Sequence, residues 1–342
     1  MVIKVLNDSV GQMKKHGWTK ANKHGWTTGN KNKNERMKYV KVAAPATIAN
    51  LVCGFDILGL ALEEPSDIME CSLNDEGIIR IKHNDEYNLP VEPTKNVSGV
   101  ALLALMHECT DKPGFDLTIT KNIKPGSGLG SSAASSAGAV VAANHLLGNR
   151  FSNEDLVRFA MHGEKLASGV KHADNITPCI YGGVTLVRSI FPLDIIPLAS
   201  PKLYVTVVHP QIEVKTSDAR QILRKEVLLK NAIRQWGNIA GLVAGFMKND
   251  FDLIGRSLED VIIEPVRSIL IPGFDEVKKT CKEAGALGGG ISGSGPSIFM
   301  LSVEKDTAET VEKIMSGIYQ RIGIDYKTYV TTINCSGVKI VT

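Results

Sequence analysis

Apolar and polar positions change rhythm several times along the chain. After a polar opening stretch, YVKVAAPAT (39–47) reads as a strand, and ANLVCGFDILGLAL (49–62) is an apolar run broken by Asn50, Gly54 and Asp56. Polar residues inside such a run need a reason to be there. Val97, Val100, Ala101, Ala104 and Leu105 recur at helical spacing within 94–109. Phe115, Leu117 and Ile119 alternate with Asp116, Thr118 and Thr120, as in a half-buried strand. A glycine-serine turn, IKPGSGLGSS, then leads into the alanine-rich AASSAGAVVAANHLL, which predicts a helix. Further helices are expected at 153–163, 217–225 and 228–248, and strands at 184–189 and 203–209. The three prolines of FPLDIIPLASP (191–201) predict a hinge between two halves. From 273 to 333 the order is helix, glycine-rich loop, strand, helix, strand, so the pattern is α+β and not a regular βαβ series.

A length of 342 residues allows two domains with real cores, and 43% hydrophobic with 22% charged residues excludes bulk disorder. The net charge of +3 is unevenly placed. Residues 1–38 hold nine Lys/Arg and two Asp/Glu, which leaves 30 and 34 for the mildly acidic remainder. That opening stretch repeats KHGWT at 15–19 and 23–27 and buries too little to offset its ordering entropy, so a disordered basic leader is expected, with Met37 as an alternative start. A basic, Trp-bearing arm that binds nucleic acid or anionic lipid is the alternative, but the body lacks a basic footprint, and neither nucleic acid nor membrane is expected as a partner. No uncharged apolar run approaches the ~20 residues that span a bilayer. The six cysteines form no C-x-x-C pair, which favours free thiols and a cytoplasmic setting.

The strongest chemical signal is PGSGLGSSAAS at 125–135. Glycines let the backbone adopt positive φ and approach a ligand, and the N-terminus of the following helix favours an anion. The run lacks the Walker A Lys-Ser/Thr ending and the G-x-G-x-x-G spacing, which sets aside P-loop and Rossmann readings. A plain flexible turn capped by Ser131 is the alternative when the run is taken alone.

Three segments in order, APATIANLVCGFDILGLAL (44–62), PGSGLGSSAAS (125–135) and GGGISGSGPSIF (288–299), resemble the GHMP kinases over essentially 39–342. The HADN at 172–175 and IEPVRSILIPGF at 263–274 are most similar to the homoserine kinase branch, with mevalonate kinase as runner-up. The resemblance implies a two-domain GHMP fold, with a ribosomal-protein-S5-domain-2-like half at 39–195 and a ferredoxin-like half at 196–342. It implies transfer of the ATP γ-phosphate to the hydroxyl of L-homoserine in threonine biosynthesis, and a homodimer. For substrate it points to Asn50, Asp56, His172, Asn175, Arg220 and Arg267, with the arginines as carboxylate forks. For ATP it points to Asn96 at the adenine and to Pro125, Gly126, Ser127, Gly128, Leu129, Gly130, Ser131, Ser132, Ala133, Ala134 and Ser135. Ser132 and Glu164 match catalytic positions that hold Mg2+ through hard oxygens. Without the resemblance, Asn96 reads as a helix N-cap, Glu164 as an exposed helix charge, and the second glycine run as packing. Asp174 lies where other superfamily members carry an aspartate near the acceptor, but its context matches poorly, so no dedicated base, or at most a weak one, is expected.

Overall fold

The structure, a computed structural model, describes residues 38–214 and 216–341. Expectations for residues 1–37 lie outside the described residues. The chain opens with β1 (Tyr39–Ala49), β2 (Leu58–Asn74) and β3 (Ile79–His83), followed by α1 (Val97–His107) and β4 (Gly114–Thr120). Helices α2 (Ser131–Leu146), α3 (Asn153–Ser168) and α4 (Ile176–Tyr181) precede the hairpin of β5 (Val184–Ile190) and β6 (Leu193–Leu198). The second half runs β7 (Tyr204–Pro210), α5 (Thr216–Gln221), α6 (Leu229–Lys248), α7 (Phe251–Ser257), α8 (Glu264–Arg267) and α9 (Phe274–Glu283). It ends with β8 (Gly288–Ile291), β9 (Ile298–Ser302), α10 (Lys305–Ile322), β10 (Tyr326–Thr332) and β11 (Lys339–Val341).

The first sheet has the order β11-β1-β2-β4-β3, with β5 on β2 and β6 on β5. Helices α1 to α4 pack together, and α2 lies against β1 and β2. Its composition explains how closely it approaches. A Cβ at Gly138 would fall 2.9 Å from the Cβ of Ala44 and 2.7 Å from the sulfur of Met69, so only glycine fits there. The alternation along β4 is realised: Phe115, Leu117 and Ile119 are buried. The second sheet has the order β10-β7-β9-β8, all antiparallel. Numbered along the chain that order is 4-1-3-2, a ferredoxin-like sheet, with α9 and α10 packed on it around Phe274, Val277, Met315 and Tyr319.

Two expectations are corrected. The proline-rich 191–201 segment is not a hinge: Leu193–Leu198 is β6, paired antiparallel with β5. Pro197 sits opposite Thr185 in an outer strand, where a missing N–H is tolerated. β6 thereby crosses the expected division at 195, and β11 pairs with β1 in the first sheet. The helix expected at 217–225 is the shorter α5, which stops at Gln221.

Candidate active site

The polar breaks in the first apolar run build one wall of a cleft. After β1 the backbone turns through Asn50, Leu51 and Val52 with φ of 73°, 41° and 66°, and Asp56 has φ 61°. Left-handed backbone is unfavourable for a β-branched residue such as Val52, so the surroundings must enforce it. Leu51, Val52 and Cys53 are sunk in the core. Asn50 secures the rest: its Oδ1 accepts the Asp56 N–H at 3.0 Å, and its Nδ2 donates to the Gly293 carbonyl at 2.8 Å. The turn thus sends apolar side chains inward and exposes Asn50 and Asp56 to the cleft.

A second wall is the glycine-serine loop. Gly126, Gly128 and Gly130 all have positive φ, and no side chain caps α2, whose first N–H groups face the cleft end of the helix. The second glycine-rich segment packs directly on this loop. Ser292 Oγ donates to the Gly128 carbonyl and Ser297 Oγ to the Ser127 carbonyl, both at 2.7 Å. Glu164 comes from α3, which starts at a capping box made by Ser152 and Asp155 and ends at Gly169, with φ 80°. Ser132 Oγ donates to Glu164 Oε2 at 2.9 Å, and burial raises the Glu164 pKa against the lowering effect of that bond.

A third group supplies charge. Arg220 Nη2 donates to both oxygens of Asp56, at 2.9 and 3.0 Å, and lies 2.9 Å from His172 Nε2. Burial lowers the His172 pKa against the raising effect of Asp56. Arg267 is 3% exposed and donates to the carbonyls of Ala219 and Gly293. Burial, and then the nearby Arg220, lower its pKa to about 10. Both guanidinium groups lie over the Phe55 ring, 5.4 and 4.9 Å from its centroid. Asp174 is buried, and that burial, followed by Asp56 and Glu164, raises its pKa to about 8.

These walls enclose a cavity of about 380 Å³. It collects Asn50, Asp56, His172, Asn175, Arg220 and Arg267, with Pro125, Gly126, Gly128, Gly130, Ser131, Ser132, Ser135 and Glu164. Asn175 Oδ1 accepts from Thr47 Oγ1 at 2.8 Å. Ser127, Leu129, Ala133 and Ala134 do not line it; they are buried behind the loop. Asn96 also stands off the cavity. Its Oδ1 caps α1 by accepting from the N–H groups of Ser98 and Gly99, and its Nδ2 donates to the Pro90 carbonyl. Leu89 and Val97 line the cavity on that side instead. Sequence reasoning missed Phe55, Lys121 and Ser294, while Asp174, weighed there as a possible base, also lines the cavity. Phe55 lies in plain view between Gly54 and Asp56, but an aromatic in an apolar run reads as core.

A phosphate-bearing nucleotide and a zwitterion suit this cavity: amide donors at a helix start for the first, one carboxylate and two guanidiniums for the second. The Ser132–Glu164 pair fits a hard divalent cation. It offers two oxygen ligands, and among the described residues no Lys or Arg forms an ion pair with Glu164.

Comparison with known proteins follows the same lines. Models of the GHMP kinase N-terminal and C-terminal domains match residues 96–183 and 242–320. The homoserine kinase of Chloroherpeton thalassium is 46% identical over 299 residues, 84% of this chain and 94% of that protein. The homoserine kinase of Chlorobaculum tepidum is 43% identical over 321 residues, 89% and 99%. In three dimensions, the crystal structure of homoserine kinase from Cytophaga hutchinsonii superposes with a TM-score of 0.87 at 47% identity, covering 91% of this chain and 100% of the other. The chain belongs to the homoserine kinase branch of the GHMP kinase family.

Proposed function

We propose that this enzyme transfers the γ-phosphate of ATP to the side-chain hydroxyl of L-homoserine, giving O-phospho-L-homoserine for threonine biosynthesis. The observation that carries the reading is the Asp56–Arg220–Arg267 group beside the α2 N-terminus. In the free enzyme Asp56 and Arg220 neutralise each other. A zwitterion can insert between them, its ammonium taking Asp56 and its carboxylate taking Arg220 and Arg267, so two ion pairs replace one. Mevalonate has a carboxylate and no ammonium, and would leave Asp56 without a partner. Asn50, His172 and Asn175 then complete the pocket around the chain and hydroxyl of the substrate.

Phosphoryl transfer asks mainly for alignment and charge stabilisation, because its transition state is loose. The amides of the loop and of α2 hold the phosphates in line with the hydroxyl. Ser132 and Glu164 would hold Mg2+, which supplies charge neutralisation on the phosphate oxygens. Burial raises the Asp174 pKa to about 8, so its carboxyl carries a proton in most molecules at neutral pH. In the proposed step the hydroxyl proton passes to an oxygen of the transferred phosphate as the new O–P bond forms and the bond to ADP breaks, without a dedicated base. A homodimer and a cytoplasmic location complete the proposal; the exposed apolar stripe Leu229, Ile233 and Trp236 on α6 supports a partnered surface.

The product tests the reaction. Incubation with ATP, magnesium and L-homoserine is expected to give a phosphate monoester on the side-chain oxygen, visible by 31P NMR, with the α-amine free. ATP hydrolysis alone, or phosphate on another atom, would contradict the proposal.

A further inference from the structure

The buried ion pair between Asp67 of β2 and Lys121, just past β4, takes no part in the reaction described above. We propose that Asp67 and Lys121 are positioning residues for the nucleotide, clasping both ends of the 123–131 loop so that the α2 N-terminus stays where phosphate must sit. The proposal rests on the nucleotide-binding reading of that loop. Both side chains are almost free of solvent, at 0% and 1%. At the entrance to the loop, Asp67 Oδ1 accepts the N–H groups of Asn122 and Ile123, at 2.8 and 2.9 Å. At its exit, Lys121 Nζ, paired with Asp67 Oδ2, donates to the Ser131 carbonyl and to Ser135 Oγ, both at 2.9 Å. Ser131 Oγ closes the ring by donating to the Ile123 carbonyl at 2.8 Å.

A buried ion pair contributes little more stability than well-packed apolar residues, but its directional bonds fix geometry. Here they end on the entrance and exit of a single loop and on the first turns of α2 that follow it. Lys121 also lines the cavity, whereas Asp67 does not, so a substitution at Asp67 probes the clasp without removing a cavity-lining group.

Asp67→Asn keeps an acceptor for the two loop amides and removes the anion. KM for ATP is expected to rise about tenfold while KM for L-homoserine stays within about twofold. Hydrogen exchange is expected to quicken in peptides covering 122–135 and not elsewhere. Unchanged KM values, both rising together, or exchange that quickens throughout the chain would overturn the clasp. Should the stranded lysine prevent folding, Asp67→Asn/Lys121→Met removes its charge, and the same selective exchange is expected; parental exchange in 122–135 overturns the proposal. Parent enzyme without ATP-dependent turnover removes the nucleotide reading itself, which separates that failure from failure of the clasp.

Discussion

At the scale of single residues, Asp174 links burial to both stability and chemistry. Its carboxyl moves from 3.8 to about 8 on folding, so the folded state binds the extra proton. The contribution of this group to stability is therefore present below about pH 4 and is lost as pH rises toward 8. Asp174→Asn is expected to gain on the order of 2–4 kcal/mol at pH 8 and nothing near pH 4, measured by denaturant unfolding. Its kcat is expected to fall less than about tenfold, because no proton transfer to this residue is required. A steeper loss with intact fold and unchanged homoserine KM would make Asp174 a base. In the proposed reaction Arg220 serves recognition instead. Arg220→Met is expected to raise KM for homoserine about 100-fold and to leave KM for ATP within about threefold, read from initial rates. Motif context makes Asn50, Asp56 and both arginines legible in the sequence alone. The Asp56–Arg220 contact is not legible there, because the two residues stand 164 positions apart. Asn96 shows the reverse: its motif position suggests adenine, while the bonds of its amide follow the simpler rule for a helix cap.

Among the elements, the two glycine-rich segments act as one unit. A Cβ at Gly128 would lie 2.6 Å from the carbonyl oxygens of both Gly295 and Ser292, in a residue with φ +80°. Neither loop can yield without moving the α2 N-terminus. Gly128→Ala is therefore expected to cut kcat/KM for ATP by at least about 100-fold, with far-UV circular dichroism unchanged. Parental kinetics in that variant would show that the loop tolerates displacement. The sequence locates β4, α3 and α6 well, since each presents a one-sided apolar face, whereas α1 is apolar all round and buries Ser98, Gly99 and Leu102 more completely than Val97, Val100 and Ala104. It misreads β6, because three prolines within eleven residues signal a break locally, while pairing with β5 is a distant fact. The three left-handed residues after β1 are equally invisible: Leu51 and Val52 carry no turn signature, and only the packing around them holds the bend.

For the whole molecule, two sheets share the work of building one cleft. The glycine-serine loop and Glu164 hang from the first sheet and its helices, whereas Arg267 and the second glycine segment precede and enter the second. The ferredoxin-like order follows from the resemblance, but the return of β11 to β1 does not, since a three-residue strand leaves almost no pattern. Core thiols give a global check on the native state. Cys53, Cys71, Cys109, Cys179 and Cys281 are buried, and burial raises Cys53, Cys71 and Cys281 to about 12. Native enzyme is expected to react quickly with an aromatic disulfide reagent only at exposed Cys335 and to keep its activity, and all six thiols are expected to react after denaturation. Rapid modification of the core cysteines would mean a more open molecule than this one. The central claim is the identity of the acceptor, and the most direct measurement is the rate of magnesium-dependent ADP release from ATP with L-homoserine, L-threonine, L-serine, mevalonate and galactose at equal concentration. Turnover with L-homoserine far above that with every other acceptor is the predicted result; an equal or greater rate with mevalonate or galactose would contradict it.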